Sequence, residues 1–127
     1  MKLLRYLIEN VWRYFEKITD MPFYDDMMDN PEYYKRVKKL ESRVVMMKPY
    51  DYLKACGEVH GSSAQRQIDL VDMDRAEQLL KAIKEKHTKM KLPVMDYAYK
   101  TQEGRHRAVI SMKLGLETMP VLVVNKI

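Results

Sequence analysis

The stretch Gln102-Glu103-Gly104-Arg105-His106-Arg107-Ala108, continued by Val109-Ile110-Ser111-Met112-Lys113-Leu114-Gly115, decides how this chain is read. A glycine followed by three basic or potentially basic residues and then an apolar run is the signature of a helix start, and Gly115 is a natural left-handed close. On its N-terminal side, Leu92-Pro93-Val94-Met95-Asp96-Tyr97-Ala98-Tyr99 reads as a strand whose proline stands at the beginning, where a missing N–H is tolerated. On its C-terminal side, Met119-Pro120-Val121-Leu122-Val123-Val124 reads as a buried strand.

The same texture extends upstream. Asp72 is placed to cap a helix in which Met73, Ala76, Leu79, Leu80 and Ile83 share one face, running to about Lys86. Gly57 to Leu70 is polar and rich in small residues, which predicts a loop. Tyr50 to Ala55 predicts one helical turn, and Val44-Val45-Met46-Met47 a short buried strand stopped by Lys48-Pro49. Strand, helix, strand, helix, strand is a compact α/β (α+β) unit with a small mixed sheet and packed helices.

The first 41 residues differ. Leu4, Leu7, Ile8, Val11, Phe15 and Ile18 recur at helical spacing over about residues 2–18, and Met21-Pro22 ends that stripe. Asn30-Pro31 opens a second helix, with Asn30 as N-cap, which runs to about Glu41 and ends in the basic cluster Lys35, Arg36, Lys38, Lys39. Residues 1–41 thus form an N-terminal helical extension packed on the domain of residues 42–127. Trp12, Tyr14, Tyr33 and Tyr34 offer either a core stripe or a stacking surface. The extension is also the candidate surface for a homodimer.

Composition narrows the class. The 127 residues suit one domain with one core, and 46% hydrophobic with 32% charged residues is a globular balance. No run of about 18 apolar residues occurs, and Arg5, Glu9 and Arg13 interrupt any signal-peptide core, so the expectation is a cytoplasmic protein without membrane contact. A single cysteine, Cys56, excludes an internal disulfide, and His60, His87 and His106 lack zinc-ligand spacing. Residues 1–41 are charge-balanced, so the net charge of +5 belongs wholly to the remainder, which is compatible with a nucleotide or DNA partner.

The residues of the motif point to phosphate. A helix N-terminus offers free N–H groups and the positive end of the dipole, Gly104 permits close approach, and Arg105 and Arg107 bring fork-shaped donors. At i and i+2 the two arginines diverge, so one of them serves structure. His106 is placed to donate to a phosphate or to protonate a leaving oxygen, and Glu103 to act as a base or hold a cation. Asp96 is a second carboxylate for Mg²⁺, or simply a solvent-facing strand residue. Glu58, His60 and Arg66, in the expected loop, are candidates to close over a ligand. A Walker-type glycine-rich loop is absent.

Taken in order, Val44 to Leu53, the helix from Asp72, Leu92 to Asp96, Glu103-Gly104-Arg105-His106-Arg107-Ala108 and Leu114-Gly115-Leu116-Glu117-Thr118-Met119-Pro120-Val121-Leu122-Val123 resemble the ParB/sulfiredoxin-like superfamily, in its ParB N-terminal or "ParB-like nuclease" form. The resemblance covers about residues 43–127. It implies a strand-to-helix turn that holds nucleotide phosphates, ATP or CTP as ligand, Mg²⁺ as a possible companion, and origin in a phage, virus or plasmid. Nuclease or NTPase activity is implied for some members and small-molecule phosphotransfer for a serine-kinase branch. Arg105 stands where sulfiredoxins carry their catalytic cysteine, and a guanidinium cannot replace a thiolate, so sulfinic-acid repair is not expected. ParB-type partitioning is not expected either, since no helix-turn-helix domain follows residue 127. Three classes stay open: a nucleotide- or DNA-phosphate-binding protein, a phosphotransferase, and a non-catalytic interaction module.

Overall fold

The computed structural model describes residues 21–32 and 40–126. Within them the chain forms β1 (Leu40–Met47), α1 (Pro49–His60), α2 (Ala64–Asp69), α3 (Met73–Lys86), β2 (Val94–Asp96), β3 (Thr101–Glu103), α4 (Arg105–Lys113) and β4 (Met119–Lys126). The helices expected over 2–18 and 33–39, with Trp12, Tyr14, Tyr33, Tyr34 and the basic cluster, lie outside the described residues. Pro31 and Glu32 are helical, as a proline at a helix start requires, whereas Leu40 and Glu41 already belong to β1.

The sheet is small and mixed, in the order β1-β4-β2-β3. β4 runs antiparallel to β1 with Val44 opposite Leu122, and parallel to β2 with Val94 opposite Leu122; β3 closes the far edge antiparallel to β2. β4 is central and its alternate side chains serve two cores, as the two-residue strand period dictates. Met119, Val121 and Val123 join Tyr52, Leu53, Ala76, Ile83 and Ile110 under the helices. Leu122 and Val124 pack with Leu92 and Val94 on the other face, against Met28, Leu40 and Val44. Each large apolar side chain buried this way contributes roughly 1.5–3 kcal/mol.

Three expectations are corrected. The stretch after Ala55 is not a loop: α1 continues through Gly57 to His60, and α2 follows from a Ser63 cap. Gly57 is a packing glycine, since a Cβ there would stand 2.6 Å from the Ser62 carbonyl oxygen. The strand read over 92–99 breaks after Asp96, whose Oδ1 accepts the N–H groups of Ala98 (2.9 Å) and Tyr99 (3.0 Å) and turns the chain into β3. Asp96 is fully buried rather than solvent-facing. Other expectations hold: Asp72 caps α3 through Arg75 N–H, and Gly115 takes the left-handed conformation after α4.

Residues 21–32 are fastened along 89–92. Met90 N–H donates to the Phe23 carbonyl (2.8 Å), Asp25 N–H to Met90 (3.0 Å) and Leu92 N–H to Met27 (2.6 Å). The buried Tyr24 hydroxyl meets Ser111 of α4 at 2.5 Å. This strap carries Asp29 to the mouth of the motif.

Candidate functional site

Gly104 is the N-cap of α4, at φ 149°, and among the described residues no side chain caps the helix. A Cβ on Gly104 would lie 2.5 Å from Pro93 Cβ and 2.9 Å from the Tyr52 hydroxyl, so glycine is demanded by both space and backbone. Tyr52, buried in α1, donates to the Val94 carbonyl at 2.8 Å and so locks α1 onto the strand beneath this turn. The first helical hydrogen bond of α4 runs from Ala108 N–H to the Gly104 carbonyl (2.9 Å). The N–H groups of Arg105, His106 and Arg107 precede it and form the open, positive end of the helix.

That end lines a cleft of about 710 Å³. Its lining is drawn from three parts of the chain: Gln102 and Glu103 of β3 with Gly104, the α3 residues Arg75, Gln78 and Leu79, and Asp29 of the strap. The motif residues Gly104, Arg105, His106 and Arg107 all reach the cleft, as does Glu103. Glu58 and His60 stand exposed on α1 and Arg66 on α2, and none of the three lines it.

The two motif arginines diverge as the helix period requires. Arg107 is held on both arms: Nη1 donates to the Leu92 carbonyl at 2.7 Å and Nη2 pairs with Asp29, which also meets Lys91 at 3.3 Å. Its side chain is only 14% exposed, and burial lowers its pKa from the ordinary value. Arg107 is thus the structural member of the pair. Among the described residues, Arg105 engages one side chain: its Nη1 donates to the side-chain Oε1 of the buried Gln67 of α2 (3.0 Å), which aims the guanidinium at the cleft that Arg105 lines.

His106 Nε2 accepts the backbone N–H of Asp72, the cap of α3, at 3.1 Å. Desolvation holds the imidazole below its ordinary pKa, reinforced by the Arg75 and Arg105 guanidiniums and opposed by Asp72. The two carboxylates expected to hold a metal are separated in role. Register places Asp96 and Glu103 on one face of the β2–β3 hairpin, with Glu103 opposite Val94 and Asp96 opposite Thr101. Only Glu103 lines the cleft. Asp96 Oδ2 and Glu103 Oε2 are both buried, and neither has a hydrogen-bond partner among the described residues. Among the described residues, no three His, Cys, Asp or Glu side chains converge.

Cys56 is buried, and desolvation pushes its thiol up to about 12, the behaviour of a core residue rather than a nucleophile. Among the described residues, no helix is long and apolar enough to cross a membrane. Sequence reasoning missed Asp29, Arg75, Gln78 and Leu79. The signal for the α3 group was the i, i+3 and i+4 spacing of Arg75, Gln78 and Leu79, which sets the two polar residues beside Leu79 at the edge of the apolar stripe. Comparison of the chain with family models, with curated proteins and with solved structures returned no match.

Proposed function

We propose that this chain binds nucleotides by their phosphates at the N-terminus of α4, in the manner implied by its resemblance to ParB/sulfiredoxin-like proteins. The observation that carries the reading is the open helix end, with Gly104 pressed against Pro93 and no side-chain cap, facing a cleft into which Arg105 and Arg75 project. Backbone N–H groups and a helix dipole favour an anion there, and guanidiniums add paired donors. A cleft of about 710 Å³ has room for a ligand of nucleotide size, beyond a lone phosphate. ATP and CTP are the first candidates.

Glu103 fits a divalent cation accompanying a polyphosphate, because it lines the cleft and its buried Oε2 has no partner among the described residues. Bound Mg²⁺ would neutralise phosphate charge. Arg105 orients the anion, Gly104 lets it approach the backbone, and Asp29 keeps Arg107 engaged with the fold rather than with ligand. DNA phosphate is the alternative occupant of the same donors.

The test is thermal denaturation with ATP, CTP and GTP, each with and without Mg²⁺, for wild type and Arg105→Ala, each against its own ligand-free baseline. A ligand bound only by the folded state at a hundredfold excess over its Kd raises Tm by roughly 8 °C. The expected result is a rise in wild type that Arg105→Ala abolishes. No rise with any nucleotide, together with salt-sensitive affinity for DNA, assigns the donors to nucleic acid. No binding of either overturns the reading.

A further inference from the structure

We infer that His106 is a positioning residue of this anion site, holding the Arg75 wall of α3 against the open end of α4 through the backbone of Asp72. The inference rests on the phosphate reading above and deepens it.

Two hydrogen bonds run in series and end at the cleft. His106 Nε2 accepts Asp72 N–H at 3.1 Å, Asp72 Oδ1 accepts Arg75 N–H at 3.2 Å, and Arg75 then projects into the cleft that His106 and Arg105 also line. A backbone N–H can only donate, so Nε2 must present its lone pair, and the neutral ring carries its proton on Nδ1. His106 therefore works as an acceptor on one side and a neutral donor on the other. A proton on Nε2 would set N–H against N–H and break the link.

The charged groups facing the imidazole are Arg75 and Asp72 from α3 and Arg105 from α4. Two guanidiniums beside one carboxylate disfavour a third positive charge. The site is thus built around an uncharged imidazole, with Arg75 and Arg105 as its cations. This reverses the simplest reading of a histidine beside a phosphate, in which the imidazolium itself grips the anion.

The two roles have opposite pH signatures. If the imidazolium bound phosphate directly, affinity would rise as pH fell through the His106 titration. If His106 positions α3 as an acceptor, affinity falls over the same window, below the ordinary histidine value of about 6.5. His106→Gln places an amide oxygen near the Nε2 position and does not titrate, so dividing by its affinity cancels the ligand's own protonation. His106→Leu removes the acceptor.

The experiment is calorimetric titration of the full chain with inorganic tripolyphosphate between pH 7.5 and pH 5, for wild type, His106→Gln, His106→Leu, Arg75→Ala and the His106→Leu/Arg75→Ala pair. The expected result is a wild-type affinity that falls about three- to tenfold relative to His106→Gln on acidification, the scale of one neutral hydrogen bond. At pH 7.5, His106→Gln binds as wild type does, and Arg75→Ala adds little to His106→Leu because both act through one chain. A flat or rising ratio overturns the inference, as does additivity of the two substitutions, while leaving the phosphate site standing. Absence of tripolyphosphate binding by wild type at every pH overturns the phosphate reading and this inference with it. Faster hydrogen exchange of the Asp72 amide in His106→Leu than in His106→Gln is expected in a chain that remains folded; equal exchange also overturns the link.

Discussion

Two helix N-termini meet at the cleft, and they are finished in opposite ways. α3 is closed: Asp72 turns its own carboxylate onto Arg75 N–H at 3.2 Å, and its own N–H is taken by His106. α4 is open: Gly104 has no side chain to offer, and among the described residues no side chain caps the N–H groups that follow. The free donors are the same in kind at both ends, so the difference is one of assignment. A helix end that satisfies itself holds the fold, and a helix end left unsatisfied beside cations is available to an anion.

Gly104→Ala tests the open end most severely. Alanine must adopt φ 149° and place its Cβ 2.5 Å from Pro93, adding backbone strain to overpacking. The expected loss is about 3–5 kcal/mol in chemical denaturation. A loss under about 1 kcal/mol would mean that the turn relaxes freely and that the open end is incidental.

Arg107→Ala comes next. It leaves the Leu92 carbonyl without its donor and Asp29, among the described residues, with Lys91 alone as counter-ion. Asp29 is 32% exposed, so the full penalty for orphaning a buried charge does not apply, and about 2–3 kcal/mol is expected. Asp29→Asn, which keeps a hydrogen-bonding side chain, is expected to lose less. Should Arg107→Ala leave Tm unchanged while abolishing nucleotide binding, the division between a structural Arg107 and a ligand-facing Arg105 fails.

Asp72→Ala opens the closed end. Removing an aspartate cap lowers stability by about 1 kcal/mol. The backbone N–H of residue 72 survives the substitution, so the contact with His106 is retained in kind. Fluorescence-monitored urea denaturation is the check, and an unchanged midpoint would show that the α3 cap contributes nothing.

What the sequence made legible is what local chemistry decides. Asp72 as a cap, Gly104 at a tight helix start, Gly115 at its close and the buried strand β4 each follow from residues within a few positions of one another. The misreadings share a cause in distant packing. Gly57 looked like a loop signal, but its missing Cβ makes room for the Ser62 carbonyl, a demand set by the chain's return and not by its neighbours. Asp96 looked like an exposed strand residue, but its carboxylate folds the following turn from inside the protein. The cleft was half legible. Its motif wall is contiguous in sequence, whereas Asp29 and the α3 wall arrive from 76 and 30 positions before Arg105 and can be placed only by the fold.

Arg75→Ala separates holding the fold from holding a ligand, and its effect on stability is the smallest of the series. Arg75 is exposed, and no side-chain partner is assigned to its guanidinium among the described residues. Its backbone N–H, which the Asp72 cap uses, survives truncation. Stability should therefore change by less than about 0.5 kcal/mol, the range of ordinary surface substitutions. Phosphate affinity should fall roughly tenfold, as loss of one charge-assisted contact implies. The salt dependence should weaken with it, because one fewer cation opposes the ligand's charge. A drop in stability with unchanged affinity would place Arg75 with Arg107 among the residues that hold the fold, and would leave Arg105 as the only motif or α3 arginine facing ligand in the cleft.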